Sequence, residues 1–487
     1  MNPAVAALLQ MFAEARPFGA MDDSRKVRPG DIFLAYPEGH AHIPEALAQG
    51  AVAVCWEPGD GFCWNSDWPV PNRIVPNLRG LAGPLAQHLA GNPSEALSLL
   101  AVTGTNGKTT VSQWLMQAWP EKCACIGTLG AGFAGALTPT GWTTPEAPTL
   151  ARCLSELRAE GARAVALEAS SIGIEEGRLD GCRIDTALFT NFTQDHLDYH
   201  GSMEAYATAK EKLFLWPQLR LAVLNLDDAL GRRLARTCTA SKMVGYSLTG
   251  SAELPAVVHA ENLCATGHGQ AFRLVAPQGR VEMETRFAGR YNIANLLAVA
   301  AVLLDRGLEV AAVAEKLAGL TPPPGRMESY GGKDAPLVLV DYAHTPDALQ
   351  NALDALRPTA EARGGRLFCV FGCGGSRDPG KRPLMGEIAA RAADAVWLTS
   401  DNPRNEDPLT ILADIRRGIP EGVEAVVEAD RARAIYAAMD AASDADVVLV
   451  AGKGHEPCQE IAGARLPFLD AHVVQEALAE RATRKAS

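Results

Sequence analysis

The sequence predicts an α/β protein with three domains, each built around a mainly parallel sheet. At about 150 residues per domain, a chain of 487 residues allows two to four domains. Apolar strand-like runs alternate with amphipathic helical runs along most of the chain, which is typical of doubly wound sheets. Turn-forming clusters at Gly91–Ser94 and Thr321–Gly325 interrupt this alternation. We therefore predict domains at residues 1–93, 94–324 and 325–487.

The individual elements follow from the spacing of apolar residues. The small N-terminal α/β domain has predicted strands at Asp31–Tyr36, Ala51–Trp56 and Arg73–Pro76, and helices at Ile43–Gln49 and Leu78–Leu89. The central parallel-sheet domain has predicted strands at Ala162–Glu168, Thr186–Thr190 and Leu221–Asn225, antiparallel strands within Ala256–Phe287, and helices at Ile293–Leu304 and Val310–Leu317. The C-terminal domain repeats the alternation and is predicted to be Rossmann-like, with strands at Leu337–Val340, Leu367–Phe371, Ala395–Thr399, Val423–Val427 and Val447–Val450.

Composition and charge narrow the possible partners and location. The net charge of −12 argues against nonspecific binding of nucleic acid. The 11 cysteines are odd in number and several lie in apolar runs, which favours reduced, buried thiols in the cytoplasm. The N-terminus does not resemble a signal peptide, and no apolar run is long enough for a membrane span. We expect a cytoplasmic monomer that binds neither nucleic acid nor membranes.

The strongest single motif is Gly-Thr-Asn-Gly-Lys-Thr at residues 104–109. Apolar residues precede it and an amphipathic run follows it, so we predict a strand, a glycine loop and a helix. Backbone N–H groups of such a loop and the positive end of the helix suit a polyphosphate. We expect Lys108 to reach the outer phosphates and Thr109 to bind Mg²⁺. The motif is a variant, because Val102 stands where the usual pattern has its first glycine. The alternative is an ordinary tight turn.

Further polar residues of the central domain follow predicted strands. Glu168 ends one strand, where a carboxylate suits Mg²⁺, although its neighbours could instead cap a helix. His196 lies in the polar run Asn191–His200 and is a second candidate metal ligand, or else a structural histidine. Lys210, on the predicted helix that follows, is either a charge clamp near phosphate or part of a solvated helix face.

Four polar clusters of the C-terminal domain also follow strands. In a parallel sheet the strand ends share one rim, so Asp401–Arg404 and Gly452–Glu456 are expected together, and Arg377 could join them. Asp341–Pro346 follows the first strand of this domain and could reach a ligand from the far side of a cleft. Carboxylates suit an ammonium group and Arg404 suits a carboxylate, so the three clusters on the shared rim could bind an amino acid. Asp341 could contact ribose, base or phosphate. The alternative is turn chemistry, because Asn-Pro and Gly-x-Gly are turn formers.

Over essentially its whole length the chain resembles the Mur ligase family, the ATP-dependent enzymes that add amino acids in peptidoglycan synthesis. The matching motifs occur in the family's order and are Thr103–Thr109, Glu168–Ser171, Asn191–His200, Asn292–Asn295, Gly325–Glu328 and Asp341–Pro346. The tetrapeptide Asp401-Asn-Pro-Arg404 is similar to that of family members that add meso-diaminopimelate. Lysine-adding relatives differ within this tetrapeptide.

The resemblance implies a role for each matched residue. Lys108, His196 and Lys210 are implied to be catalytic, and Lys210 matches a lysine that the family carbamylates to N6-carboxylysine. The implied ATP-binding residues are Gly104, Thr105, Asn106, Gly107, Lys108, Thr109, Thr110, Asn292, Asn295, Arg326 and Asp341, and the implied metal ligands are Thr109, Glu168 and His196. The implied UDP-muramoyl-peptide contacts are Ser24, Thr143, Thr144, Ser170, Glu176 and Arg178, and the implied diaminopimelate contacts are Arg377, Asp401, Asn402, Pro403, Arg404, Gly452 and Glu456.

The implied activity is ATP-dependent addition of meso-2,6-diaminopimelate to the D-glutamate of UDP-N-acetylmuramoyl-L-alanyl-D-glutamate, through an acyl phosphate and with Mg²⁺. Two features depart from the family. Glu176 replaces a glutamine, and because it adds negative charge beside an anionic substrate we expect it to point away. The loop from Glu38 to Pro44 is shorter than in some relatives, with Gly39 and His40 as candidate uridine contacts.

Two other functions compete with this expectation. A sister ligase of the folylpolyglutamate or cyanophycin type would share the ATP domain, but the first domain and Asp401–Arg404 argue against it. A regulatory nucleotide-binding protein would hold or hydrolyse ATP regardless of any amino acid. Binding of a UDP-sugar tests the first alternative, and substrate-dependent release of ADP tests the second.

Overall fold

The computed structural model of this chain describes residues 2–59, 61–251 and 253–486, and it confirms a mixed α/β fold with large parallel sheets. The chain forms two compact units. The first comprises Met1–Val258 with Leu297–Leu308, and the second comprises His259–Leu296 with Glu309–Ser487. One compact unit can hold more than one domain, so the boundaries predicted after residues 93 and 324 stay predictions.

The first unit begins with a parallel sheet of four strands in chain order. Its strands are β1 (Gly19–Met21), β2 (Asp31–Ala35), β3 (Ala53–Trp56) and β4 (Asn72–Ile74), and its helices are α1 (Pro3–Met11), α2 (Ile43–Ala48), α3 (Leu78–Leu89) and α4 (Pro93–Ala96). Short 3-10 helices occupy Ala13–Ala15, Ser24–Lys26 and Pro37–His42. Apolar residues of β2 and β3 pack against Leu78 and Leu85 of α3, so this helix closes the core.

The second sheet of the first unit contains the glycine loop. Its strands run in the order β12-β11-β10-β5-β9-β6-β7-β8, parallel except at the antiparallel pairs β6–β7 and β7–β8. They are β5 (Ser98–Thr103), β6 (Cys123–Gly127), β7 (Gly130–Phe133), β8 (Ala136–Thr138), β9 (Ala164–Glu168), β10 (Thr186–Phe189), β11 (Leu221–Asn225) and β12 (Lys242–Ser247). The helices are α5 (Lys108–Ala118), α6 (Ala147–Ala159), α7 (Ser171–Glu175), α8 (Leu197–His200), α9 (Met203–Glu211) and α10 (Ala229–Thr237), and the 3-10 helix Lys212–Leu215 directly follows α9.

The antiparallel strands predicted within Ala256–Phe287 are confirmed as β13 (Val257–Thr266), β14 (Gly269–Ala276) and β15 (Gly279–Thr285). Helices α11 (Arg290–Asp305) and α12 (Val310–Ala318) follow them in the sequence. Each helix extends the predicted range by a few residues at most. From Gln270 onward β14 alternates buried and half-buried side chains, which is the pattern of a strand with one covered face.

The second unit also contains the predicted Rossmann-like sheet, in the order β16-β17-β21-β18-β19-β20. Its strands are β16 (Glu328–Gly331), β17 (Leu337–Asp341), β18 (Leu367–Phe371), β19 (Ala395–Leu398), β20 (Ala425–Val427) and β21 (Val447–Ala451), and only β16 is antiparallel to its neighbour. The helices are α13 (Pro346–Arg363), α14 (Lys381–Ala392), α15 (Pro408–Arg416), α16 (Arg431–Ala441) and α17 (Asp470–Ala486), and β22 (Cys458–Ile461) pairs with β23 (Ala464–Pro467) as a separate hairpin.

The state of the cysteines and the character of the helices can be compared with what the composition predicted. All 11 cysteines are free thiols, and burial raises the pKa of Cys55, Cys123 and Cys182 to about 12. Cys63 and Cys264 are exceptions to the predicted burial, since both are exposed. Among the described residues, no helix has the length and apolar character needed to cross a bilayer.

Candidate active site

The glycine loop follows β5 and leads directly into α5. Gly104 has φ +146°, and a Cβ there would lie 1.8 Å from Thr190 Oγ1, so only glycine fits. Gly107 has φ +84° and precedes Lys108, the first residue of α5. Val102 is fully buried inside β5, paired with Glu168 of β9, which explains why this position holds an apolar residue instead of a glycine. The turn therefore has the arrangement of a phosphate-binding loop, with glycines of positive φ directly before the start of a helix.

Polar contacts from the end of β10 fix the shape of this loop. Asn106 N donates to Asn191 Oδ1 at 2.9 Å, and Asn191 Nδ2 donates back to Asn106 O at 3.0 Å. Thr105 Oγ1 donates to Thr193 O at 3.1 Å. Lys108 Nζ lies within 2.9 Å of both Gly104 O and Thr105 O, so its ammonium is held inside the loop. Thr109 and Thr110 follow in the first turn of α5.

Glu168 is buried at the end of β9 and faces Thr109. Thr109 Oγ1 donates to Glu168 Oε2 at 3.0 Å, and Thr128 N donates to Oε1 at 3.0 Å. A Cβ on Gly127 would lie 2.1 Å from Oε1, so the absence of a side chain there makes room for the carboxylate. The helix cap in this motif is Ser170, whose Oγ accepts from Gly173 N at 3.1 Å. Hydroxyl and carboxylate oxygens are the ligands that Mg²⁺ prefers, so Thr109 and Glu168 fit that ion.

His196 occupies a different environment. It has φ +51° and precedes α8, and its ring is 42% exposed, with Nε2 3.5 Å from Asp195 Oδ2. His200 is the more constrained histidine, since its Nε2 lies 2.9 Å from Ser171 Oγ and its ring stacks on Tyr206. In the part of the chain that the structure describes, no group of three or more His, Cys, Asp and Glu side chains is arranged to hold a metal. The structure thus places Thr109 and Glu168 in hydrogen-bond contact, and the role of His196 as a metal ligand stays a prediction.

Lys210 lies in the last turn of α9 and is only 1% exposed. The alternative of a solvated helix face is therefore wrong. Its Nζ lies 4.5 Å from the centre of the Tyr206 ring. Burial, with a further contribution from the positive charge of Lys108, places the pKa of Lys210 well below its ordinary value. A lysine in this setting favours the neutral amine, which is the nucleophilic form.

The candidate muramoyl-peptide residues divide into two groups in the first unit. Thr144 Oγ1 lies 2.9 Å from Ser170 Oγ, and Arg178 donates to Thr144 O at 2.9 Å. Thr143 Oγ1 lies 3.1 Å from Thr128 Oγ1, beside Glu168. Ser24 stands apart, since its hydroxyl donates to Glu45 Oε2 at 2.6 Å and lines a cavity of about 490 Å³. Gly39 lines the same cavity.

Glu176 does not turn away from these residues as expected. Its Oε2 accepts hydrogen bonds from Arg178 Nε at 2.9 Å and Nη2 at 2.5 Å, and its Oε1 accepts from Tyr199 OH at 3.3 Å. The Arg178 guanidinium also lies 3.1 Å from Glu146. The added carboxylate is tolerated because the guanidinium neutralises it, which a prediction from charge alone did not include.

The candidate nucleotide residues of the second unit are Arg326, Asp341, Asn292 and Asn295. The Arg326 guanidinium lies 4.9 Å from the centre of the Tyr342 ring. Asp341 accepts from Met327 N and Ala343 N at 2.8 and 2.9 Å, so the predicted turn chemistry is present, and burial raises the pKa of its carboxyl. Thr345, and not Asp341, caps α13. Asn292 and Asn295 are buried on α11, where Asn292 Nδ2 donates to Ala288 O at 2.8 Å.

The ends of β21, β18 and β19 share one rim, as predicted, and the end of β17 lies on the same rim. Gly452 N donates to Asp341 O at 3.1 Å, and a Cβ on Gly452 would lie 2.5 Å from Asp401 Oδ2, so these clusters are in direct contact. Asn402 Nδ2 donates to Glu456 Oε2 at 2.7 Å. Burial raises the pKa of Asp401. Pro403 is buried behind this rim, whereas Arg377 is exposed on the loop after β18.

Two residues that touch this rim were given no role in advance: Glu460 was not predicted, and Lys453 was only part of the predicted cluster Gly452–Glu456. Arg404 has φ +53°, and its Nε donates to Glu460 Oε2 at 3.2 Å while Nη1 donates to Gly375 O at 2.8 Å. Lys453 is fully buried and donates to Asn402 and Glu456. The signal for Lys453 was its place between two glycines directly after an apolar strand. Glu460 carries no such signal, because it reaches Arg404 only through the fold of the hairpin β22–β23.

The comparisons with known proteins agree across the chain. The model of the Mur ligase middle domain matches residues 102–303, and that of the Mur ligase glutamate ligase domain matches residues 325–454. The UDP-N-acetylmuramoyl-L-alanyl-D-glutamate–2,6-diaminopimelate ligase of Chromobacterium violaceum is 50% identical over 94% of this chain and 93% of its own length. The ligase of the same name from Ectopseudomonas mendocina is 49% identical over 94% of each chain.

A solved structure of a protein with that name is also similar. It is 38% identical, with a TM-score of 0.72, and the match covers 96% of this chain and 95% of the solved one. Sequence and structure therefore point to one family over the full length that they cover.

Proposed function

The chain belongs to the Mur ligase family, and from this premise we infer that it is the ATP-dependent ligase that joins meso-2,6-diaminopimelate to UDP-N-acetylmuramoyl-L-alanyl-D-glutamate. The observation that supports this most strongly is a phosphate loop in the first unit with an Asp-Asn-Pro-Arg rim in the second. The loop suits the triphosphate of ATP, and the rim offers carboxylates and a guanidinium to an amino acid. We place the enzyme in the cytoplasm, as a monomer.

The reaction we propose has two steps. An oxygen of the D-glutamate γ-carboxylate attacks the γ-phosphorus of ATP, forming an acyl phosphate and releasing ADP. An amine of diaminopimelate then attacks the acyl carbon, inorganic phosphate leaves, and the amine gives up a proton as the amide forms. The backbone N–H groups of residues 104–110 and the Lys108 ammonium would bind the phosphates and offset their charge.

Mg²⁺ would supply charge neutralisation and orientation of the phosphates. Thr109 and Glu168 would hold it, with His196 as the further predicted ligand. Mg²⁺ commonly uses one or two carboxylates together with substrate phosphates, so a cluster of three acidic or histidine side chains is not required. A carbamate on Lys210 would add another anionic oxygen ligand, which the lowered pKa of that lysine favours.

The test is a phosphate-release assay with each substrate omitted in turn. We expect release to need ATP, the UDP-muramoyl dipeptide and diaminopimelate together, with the amide product identified by mass spectrometry. Lys108→Ala should abolish turnover, whereas Lys333→Ala, at an exposed position, should leave it unchanged. ATP hydrolysis that continues without either co-substrate would favour the regulatory alternative instead.

Selectivity for the amino acid is a separate expectation. Diaminopimelate has a second amino-carboxylate centre that lysine lacks, and Arg404 could pair with that carboxylate. A site built to pair a charged group rejects the analogue without it by roughly 10⁴ or more. Comparing kcat/KM for the two amino acids measures this ratio. Equal use of L-lysine would remove the diaminopimelate assignment and leave the ligase assignment standing.

A further inference from the structure

Lys453 is enclosed in the second unit with every donor of its ammonium in use. Its side chain is 0% exposed. Nζ donates to Asn402 Oδ1 at 3.1 Å, to Glu456 Oε2 at 3.0 Å and to the Cys458 carbonyl at 2.7 Å. An ammonium has three N–H donors, so this lysine is fully paired. Fully buried lysines are rare, and such pairing is the usual condition for one.

The acceptors of Lys453 belong to two separate segments, the loop after β19 and the segment that joins β21 to β22. Asn402 comes from the loop after β19, Glu456 from the loop after β21, and Cys458 from the start of β22. Asn402 Nδ2 also donates to Glu456 Oε2 at 2.7 Å, and Glu460 N donates to Asn402 Oδ1 at 3.0 Å. The amide of Asn402 is therefore fixed in one orientation, with its oxygen toward Lys453 and its nitrogen toward Glu456.

This network leaves part of Glu456 available. The bonds described for its carboxylate end on Oε2, from Lys453 and Asn402, while the side chain is 31% exposed. A carboxylate held by one oxygen presents the other in a fixed direction. Such an oxygen suits the ammonium group of an amino acid. Because the Glu456 side chain is already ordered, binding does not carry the entropic cost of ordering it.

We propose that Lys453 is a positioning residue for the amino-acid substrate, which holds Asn402 and Glu456 in the arrangement that receives an ammonium group. The proposal rests on the proposed function, since it takes the rim to be the amino-acid site. Lys453 does not touch the ligand and acts through its two partners. Without it, Glu456 Oε2 keeps only the amide of Asn402, and Asn402 Oδ1 keeps only the backbone N–H of Glu460, so both side chains are held less tightly.

A purely structural lysine would behave differently. Loss of a buried, hydrogen-bonded cation lowers the stability of any protein, but it gives no reason for one substrate to be affected more than the others. A positioning role changes the KM for the amino acid selectively. The decisive measurement is thus the KM for each of the three substrates, together with the melting temperature.

The experiment uses the full chain with Lys453→Met, which keeps the length of the side chain and removes its charge. We expect the KM for diaminopimelate to rise about tenfold to hundredfold. The KM values for ATP and for the UDP-muramoyl dipeptide should stay within about twofold. Glu456→Gln should raise the same KM, and the double variant should be no worse than the more affected single variant, because both changes act on one contact.

Arg363→Met is the matched control. Arg363 donates to the carbonyls of Gly267, Gly332 and Ala335, and these contacts include none of the rim residues. We expect this variant to melt earlier with an unchanged KM for diaminopimelate.

An unchanged KM for diaminopimelate in Lys453→Met, equal increases for all three substrates, or additive effects in the double variant would each overturn the proposal. If Lys453→Met does not fold, Asn402→Asp tests the same arrangement by setting a second carboxylate against Glu456. An unchanged KM in that variant would likewise overturn it. A wild-type enzyme that does not use diaminopimelate would contradict the proposed function instead.

Discussion

At the scale of single residues, burial decides which ionisable groups have unusual properties. Burial, together with the negative charge of Glu146, raises the pKa of Asp22 from its ordinary value of 3.8 to about 6. Asp22 lines the same cavity as Ser24, in a wall with several other carboxylates. A neutral Asp22 is thus the form that this crowded acidic wall favours below about pH 6.

The raised pKa of Asp22 predicts a pH dependence of stability. Between about pH 4 and pH 6 the folded protein binds this proton more tightly than the unfolded chain does, so its contribution to stability is lost as the pH rises. We expect this contribution to reduce the free energy of unfolding by about 1–3 kcal/mol across that window. Denaturant titrations at several pH values measure it. The slope should flatten in Asp22→Asn and persist in Asp67→Asn, at an exposed position.

The buried amine of Lys210 leads to a second prediction at this scale. A neutral amine reacts with CO₂ to give a carbamate, whereas an ammonium does not. We expect a carbamate resonance in the ¹³C NMR spectrum of the protein equilibrated with ¹³CO₂ at neutral pH. The resonance should be absent in Lys210→Met, with exposed lysines such as Lys333 left in place. The same resonance in both proteins would assign it to another lysine or to the N-terminus.

At the scale of elements, close packing of α3 positions the turn that contains Arg178. A Cβ on Gly83 would lie 2.1 Å from Asp180 O, and Gly181, with φ +80°, would bring a Cβ to 2.7 Å from Pro84 Cα. Helix and turn approach this closely because neither has a side chain at the contact. Arg178 lies two residues before Asp180, so the position of its guanidinium depends on this packing.

The substitution Gly83→Ala therefore has two opposing effects on stability. Alanine is the better helix former by about 1 kcal/mol, but the clash with a backbone carbonyl should cost about 1–3 kcal/mol and move the turn. We expect a lower melting temperature and a higher KM for the UDP-muramoyl dipeptide, with the KM for ATP little changed. Gly319→Ala is the control, since its nearest atoms are 3.6 Å away. A more stable Gly83→Ala enzyme with normal KM values would contradict this account.

Elements with strong periodicity were predictable from the sequence, and those without it were not. Leu78–Leu89, Leu221–Asn225 and Leu367–Phe371 agree with the structure residue for residue, because each has an uninterrupted apolar pattern. The hairpin β7–β8 was missed because Gly130, Gly132 and Gly135 give a strand no side-chain pattern. The phosphate loop could be predicted because its contacts are local. The partners of Arg404, Glu176 and Lys453 could not, because the fold brings them from distant parts of the sequence.

At the scale of the whole molecule, the thiols separate the interior from the surface. Six cysteines are buried, three are intermediate, and only Cys63 and Cys264 are exposed. With Ellman's reagent under native conditions we expect about two thiols to react rapidly, and all 11 after denaturation. The melting temperature should not change on addition of a reducing agent. A shift on reduction would indicate a disulfide, in conflict with the free thiols described.

The hairpin β22–β23 has a consequence for how substrate preference could be inherited or transplanted. Its first strand bonds Arg404 through the backbone and side chain of Glu460, and its first residue accepts from Lys453. Alternate residues of a strand face opposite ways, so inserting one residue before Glu460 would turn that carboxylate away from Arg404. The tetrapeptide Asp401–Arg404 and the hairpin Cys458–Pro467 thus form one unit that would have to be exchanged together. Grafting the tetrapeptide alone would transfer the side chains that contact the substrate without the residues that hold them in position.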